Sequence, residues 1–147
     1  MSSQPSARPD TFRSIELTKI GPERYKATNA RGGETFFGSG GEDPDFTPVE
    51  AFLASIAACT AVSVDGISGK RATAQAFTVT ASGDRIRDEG GQHMVNLVVT
   101  FDIRFPEGAD GDAARAVLPR ALEQTHDRLC TVSRTVELGE PVELRLA

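Results

Sequence analysis

Cys59 and Cys130 are the only two cysteines in the chain, and they are its best candidates for chemistry. A thiol acts as nucleophile or redox centre only through its thiolate, which needs positive charge or hydrogen-bond donors nearby, since burial alone raises a thiol pKa. Cys59 lies midway along an apolar, alanine-rich run from Ala51 to Val64, and Cys130 follows His126-Asp127-Arg128-Leu129. Neither occupies the place of a structural staple. Taken alone, a cysteine on an apolar helix is most often an inert small hydrophobe. The helix dipole cannot activate Cys59, which would lie about two and a half turns from the helix start, beyond the reach of the terminal charge. An arginine from elsewhere must supply the charge. His126, four residues before Cys130, would share a face with it if the helix continued, yet a surface role fits it better than a base or a metal ligand. His93 sits in a Gly-rich hairpin. The two cysteines and two histidines lack the close paired spacing of a zinc site, so no metal is expected.

Composition narrows the setting. At 147 residues the chain fits one domain, and 39% apolar with 25% charged residues is ordinary for a globular protein. A net charge of -5 and a pI near 5.0, with scattered basic residues, argue against a nucleic-acid binder. The polar start Met1-Ser2-Ser3-Gln4 has no apolar run of the secretory kind, and the stretch Ala51–Val64 is shorter than the roughly twenty residues a bilayer needs. The expected compartment is the cytoplasm, with no membrane partner, and there a disulfide is more often catalytic or sensing than structural.

Residues 1–11 read as a flexible tail and 12–147 as one domain. Strands are expected over Phe12–Ile20 and Arg24–Asn29 around a Gly21-Pro22 turn, and over Glu34–Phe37 after the Arg31-Gly32-Gly33 turn. The stretch from Gly38 to Phe46 reads as loop. Thr47-Pro48-Val49-Glu50 has the chemistry of a capping box with proline at the first helical position, and the helix should run to Ile67 or Ser68. Without a charged face between Ala51 and Val64, this helix is expected to be buried. Two longer strands, Ala74–Arg87 and Met94–Phe105, follow with a turn between them; Val95, Leu97, Val99, Phe101, Ile103 and Phe105 alternate along the second. A second helix over Gly111–Leu129, with Pro119 a candidate kink, and a last strand through Val142, Leu144 and Leu146 complete an α+β class.

The ordered set Arg31-Gly32-Gly33, Thr47-Pro48-Val49-Glu50, Ala57-Ala58-Cys59 and Cys130-Thr131-Val132-Ser133 resembles the OsmC/Ohr family from about Arg24 to Leu146. The resemblance implies an OsmC-like fold of antiparallel sheets, a buried central helix and a second helix, in an intertwined homodimer. It implies a thiol-dependent peroxidase that reduces organic hydroperoxides in oxidative stress defence. Cys59 would be the peroxidatic and Cys130 the resolving cysteine, Arg31 would stabilise the thiolate, and Glu50 would orient Arg31. The disulfide formed through a sulfenic acid would be returned to thiols by an external dithiol or lipoyl-type reductant, without metal or flavin.

Two positions depart from the peroxidase branches: Thr131 stands where proline follows the resolving cysteine, and Thr60 where an aromatic often follows the peroxidatic one. Both look closer to the YhfA-like branch of OsmC proteins. Helix geometry adds a constraint, because Glu50 and Cys59 are nine positions apart. On one helix they would lie on opposite faces and roughly 13 Å apart along the axis. Glu50 and Arg31 would then serve Cys59 of a second chain. Phe36, Phe37, Phe46, Phe52 and Ile56 are available to line an apolar cleft. The competing expectation is a dimeric binding protein for a small apolar ligand, or a redox sensor.

Overall fold

The computed structural model describes residues 10–147, so residues 1–9 of the expected tail lie outside the described residues. The chain forms two compact units, divided between Ala51 and Phe52.

The first unit is a three-stranded antiparallel sheet in the order β1 (Glu16–Gly21), β2 (Arg24–Thr28) and β3 (Glu34–Phe37). β1 begins four residues later than expected, whereas β3 has the expected bounds. The turn between β2 and β3 is built by Asn29, whose Oδ1 accepts the backbone N–H groups of Arg31 at 3.0 Å and Gly33 at 2.9 Å. Gly32 adopts φ 86°, a left-handed value that glycine takes without the Cβ penalty. The following loop closes where the Gly38 N–H reaches the Phe46 carbonyl at 3.0 Å, and Arg24 pairs with Asp45.

Helix α1 (Pro48–Ser68) starts at the expected capping box: the Thr47 N–H reaches Glu50 Oε1 at 2.9 Å and the Glu50 N–H reaches Thr47 Oγ1 at 3.2 Å. The expectation of a buried helix is corrected for one chain. Only the stripe Ile56, Thr60, Val64 and Ser68 is buried, at four-residue spacing, and Val62 is 74% exposed. The stripe alternates aliphatic and hydroxyl side chains, and its hydroxyls are satisfied locally. Thr60 donates to the Ile56 carbonyl and Ser68 to the Val64 carbonyl, each at 3.0 Å. The argument from length against a membrane span is also corrected, because the apolar run belongs to a 21-residue helix that is long and apolar enough to cross one.

In the second unit, β4 (Ala76–Asp88) and β5 (Gly91–Arg104) form a long antiparallel hairpin. Their register shifts between Ser82 and Asp84, where Gly83 opposes Asn96 and Leu97. Asn96 takes φ 54° in this bulge, and the expected alternation of β5 breaks there, leaving Leu97 exposed. Helix α2 (Ala109–Gln124) passes through Pro119, a π-helical turn spans Thr125–Leu129, and helix α3 (Thr131–Leu138) follows. The single helix expected over 111–129 is thus a helix and a wider turn, and α3 is an element the sequence pattern missed. It ends at Gly139 with φ 67°, a left-handed C-cap. The expected last strand is absent among the described residues; Val142, Leu144 and Leu146 are exposed, because a strand needs a ladder partner and none is formed within the chain.

Gly111, in the first turn of α2, is buried, and a Cβ there would fall 1.7 Å from the Pro106 carbonyl oxygen. Glycine to alanine in a helix ordinarily gains up to about 1 kcal/mol, but overpacking against a backbone oxygen costs about 1–3 kcal/mol. The clash should win. Gly111→Ala is expected to lower the thermal midpoint by several degrees, and a variant at least as stable as the parent would contradict this packing.

Candidate functional site

The second unit brings Cys59 and Cys130 together. Cys59 is half-buried on α1. Cys130 is 0% exposed and is the N-cap of α3, with φ -82° and ψ 101°. An N-cap side chain faces the free N–H groups of the first helical turn, and here the acceptor is sulfur: the Ser133 N–H reaches Cys130 Sγ at 3.4 Å. The Cys59 thiol is the neighbouring group that also acts on this sulfur. Both cysteines are free thiols in this structure.

Burial pushes the Cys130 thiol up. Hydrogen bonds from the Ser133 hydroxyl and N–H, the Cys59 thiol and the Val132 N–H outweigh it, and the net shift is downward. The negative charge is therefore favoured on Cys130. Accessibility divides the roles the other way, since Cys59 is the sulfur within reach of solvent.

The π-helical turn positions this pair. The Cys130 N–H bonds to the Thr125 carbonyl five residues back, at 3.0 Å. The wider turn breaks the helical phase that would have put His126 and Cys130 on one face. His126 instead lies on the surface, Nδ1 at 2.9 Å from Asp127 and Nε2 at 2.9 Å from Glu137 of α3. Hydrogen bonding to Asp127, then the charge and hydrogen bond of Glu137, hold its pKa above 6.5. His126 thus ties the π turn to the helix that Cys130 caps.

Arg31 and Glu50 belong to the first unit. Arg31 is an exposed residue of the turn between β2 and β3, and Glu50 closes the capping box of α1, where hydrogen bonds from Thr47 lower its pKa. α1 is continuous from Glu50 to Cys59, so the two do lie on opposite faces of one helix. Thr60, at the first departure, is buried with its hydroxyl turned to the Ile56 and Ala57 carbonyls, and Thr131 opens α3. Among the described residues no group of three or more His, Cys, Asp or Glu side chains could hold a metal ion.

A cavity of about 530 Å³ is bounded by Ile56 and Thr60 of α1, the middle of β5, the α2–π junction and α3; Thr60 follows Cys59 in the chain and Ser133 is the donor to Cys130. The residues that sequence reasoning missed here are Thr125, Ser133 and Glu137. Only Ser133 had a legible signal, three positions after a cysteine that caps a helix.

The model of the family described as OsmC-like protein matches residues 40–145. A search of curated proteins returned no match. Among solved structures, an OsmC-like protein of Vibrio cholerae aligns with a TM-score of 0.71 at 16% identity, covering 86% of this chain and 94% of that one. An OsmC-like protein of Mycoplasma pneumoniae gives 0.70 at 14% identity, covering 88% and 89%. The organic hydroperoxide resistance protein OhrB of Bacillus subtilis gives 0.51 at 15% identity, covering 83% and 90%. At these identities the likeness is one of fold.

The raised His126 pKa has a pH signature. Its contribution to stability is fully present below the unfolded value near 6.5 and fades as pH rises through the higher folded value. His126→Asn should therefore lower the thermal midpoint more at pH about 5.5 than at pH about 8.5. An equal loss at both, measured side by side with the parent protein, would contradict the pairing.

Proposed function

Because this chain belongs to the OsmC-like protein family, we propose that it is a thiol-dependent peroxidase that reduces organic hydroperoxides through Cys59 and Cys130. The observation that carries this reading is a buried sulfur at the N-cap of α3, taking the Ser133 N–H at 3.4 Å, with the half-buried thiol of Cys59 on α1 as its neighbour. A lone structural cysteine has no need of such a partner. The OhrB neighbour, named for organic hydroperoxide resistance, supports the same direction.

Cys59 is the nucleophile. As its sulfur attacks the distal oxygen of the hydroperoxide, its proton passes to the Cys130 thiolate, the O–O bond breaks, and the leaving alkoxide takes that proton from Cys130 to become the alcohol. Cys59 is now a sulfenic acid and two electrons have gone to the peroxide. Cys130, again a thiolate once its proton has gone to the alkoxide and held so by the donors of α3, attacks the Cys59 sulfur; the S–S bond forms and the S–O bond breaks, the hydroxide taking a proton from solvent to leave as water. An external dithiol then reduces the bond.

Arg31 and Glu50 are assigned to the partner's thiol in a homodimer. Supporting the dimer are the apolar side chains left exposed on one chain, Val62 on α1 and Val142, Leu144 and Leu146 at the C-terminal end. Apolar surface of this extent marks an interaction face, and a second copy covers it in this reading, with the protein in the cytoplasm.

Adding one equivalent of cumene hydroperoxide to reduced protein should consume both thiols and give a Cys59 to Cys130 disulfide on peptide mapping. Cys59→Ser should abolish peroxide loss, and Cys130→Ser should stop at a trappable sulfenic acid. Peroxide loss at an unchanged rate in Cys59→Ser would overturn the assignment of the nucleophile.

A further inference from the structure

Thr125 is 2% exposed, and its Oγ1 is a buried hydroxyl with no hydrogen-bond partner. Helical hydroxyls elsewhere in the chain are satisfied from their own helix: Thr60, Ser63, Ser68 and Thr135 each donate to the carbonyl four residues back. The Thr125 hydroxyl is left over. Thr125 also lines the cavity of about 530 Å³, a size usual for small-molecule sites. A helical threonine has two open χ1 wells, so a modest turn presents Oγ1 to a molecule inside.

The rest of the lining says what kind of molecule fits. Leu97, Val99, Phe101, Leu122 and Val136 give an apolar body. At the polar end His126 and Glu137 line the cavity, with Asp127 on the far nitrogen of the imidazole. Two carboxylates against at most one imidazolium leave this end negative, and no Lys or Arg is among the lining residues. A carboxylate head would be desolvated there without a partner. A neutral O–H group, able both to donate and to accept, meets the Thr125 hydroxyl without that cost.

We infer that this cavity binds a neutral alkyl or aryl molecule ending in O–H, an alkyl hydroperoxide or its alcohol, anchored on Thr125 Oγ1, and that Glu137 excludes the carboxylate analogue. The hydroperoxide half of this assignment rests on the proposed function; the alcohol half does not.

The test is calorimetric titration of full-length Cys59→Ser, which removes the chemistry, with 1-octanol and with sodium octanoate near neutral pH. Octanol should bind at least about tenfold more tightly than octanoate. Adding Thr125→Val, which keeps the shape and deletes the hydroxyl, should weaken octanol about three- to tenfold, the worth of one hydrogen bond between neutral groups. Adding Glu137→Gln should tighten octanoate and narrow the gap. Octanoate binding as tightly as octanol would overturn the inference, and so would octanol binding unchanged by Thr125→Val. The octanol-to-octanoate contrast decides the matter even if the Thr125 variant does not fold. Octanol selectivity in Cys59→Ser beside a parent protein inert to cumene hydroperoxide would sink the peroxidase and leave this cavity assignment standing. Peroxide turnover without octanol binding would do the reverse.

Discussion

The sulfur of Cys130 at the N-terminus of α3 is the point on which the site depends. A buried thiol without donors would stay neutral, and Cys130 is fully buried. What reverses this is geometry: the Ser133 N–H at 3.4 Å, further donors from Ser133 and Val132, and the Cys59 thiol. The N-cap places the sulfur, and the π turn, through the Cys130 N–H to Thr125 carbonyl bond, places the N-cap. The long helix α1 brings the second thiol. Removing any of these would leave two ordinary cysteines.

The same π turn serves both the cysteine pair and the cavity. Its last bond fixes Cys130, while its first residue, Thr125, lines the cavity and holds a buried hydroxyl without a partner. π-helical turns are rare and are often found at functional sites. Here the wider spacing separates His126 from Cys130, so that the histidine braces α3 from the surface through Glu137 rather than acting beside the sulfur.

The parts of the fold legible in sequence were those fixed by local chemistry. Thr47, Pro48 and Glu50 set the start of α1, Gly32 and Gly33 marked the turn before β3, and Gly90-Gly91 marked the β4–β5 hairpin. The two cysteines were visible as a pair through resemblance, and their contact came only with the structure. What the pattern could not show depended on hydrogen bonds between unlike elements. The apolar residues Val117, Leu118, Leu122 and Leu129 suggested one helix because a π turn keeps helical composition while changing phase. α3 was missed because its polar, β-branched start reads as loop until Cys130 caps it. The alternation of Val142, Leu144 and Leu146 promised a strand, but among the described residues no strand edge pairs with it, and alternation alone does not choose a partner.

The claim that the Cys130 thiolate is stabilised at the N-cap of α3, with Cys59 contributing, is tested most directly by following thiolate ultraviolet absorbance against pH in the reduced protein, in Cys59→Ser and in Cys130→Ser. The first proton should leave the parent protein below the ordinary cysteine value of about 8.5, Cys130→Ser should lose that early step, and the parent curve should differ from the sum of the two variants. A parent curve equal to that sum, with each thiol titrating alone at an ordinary value, would contradict the account.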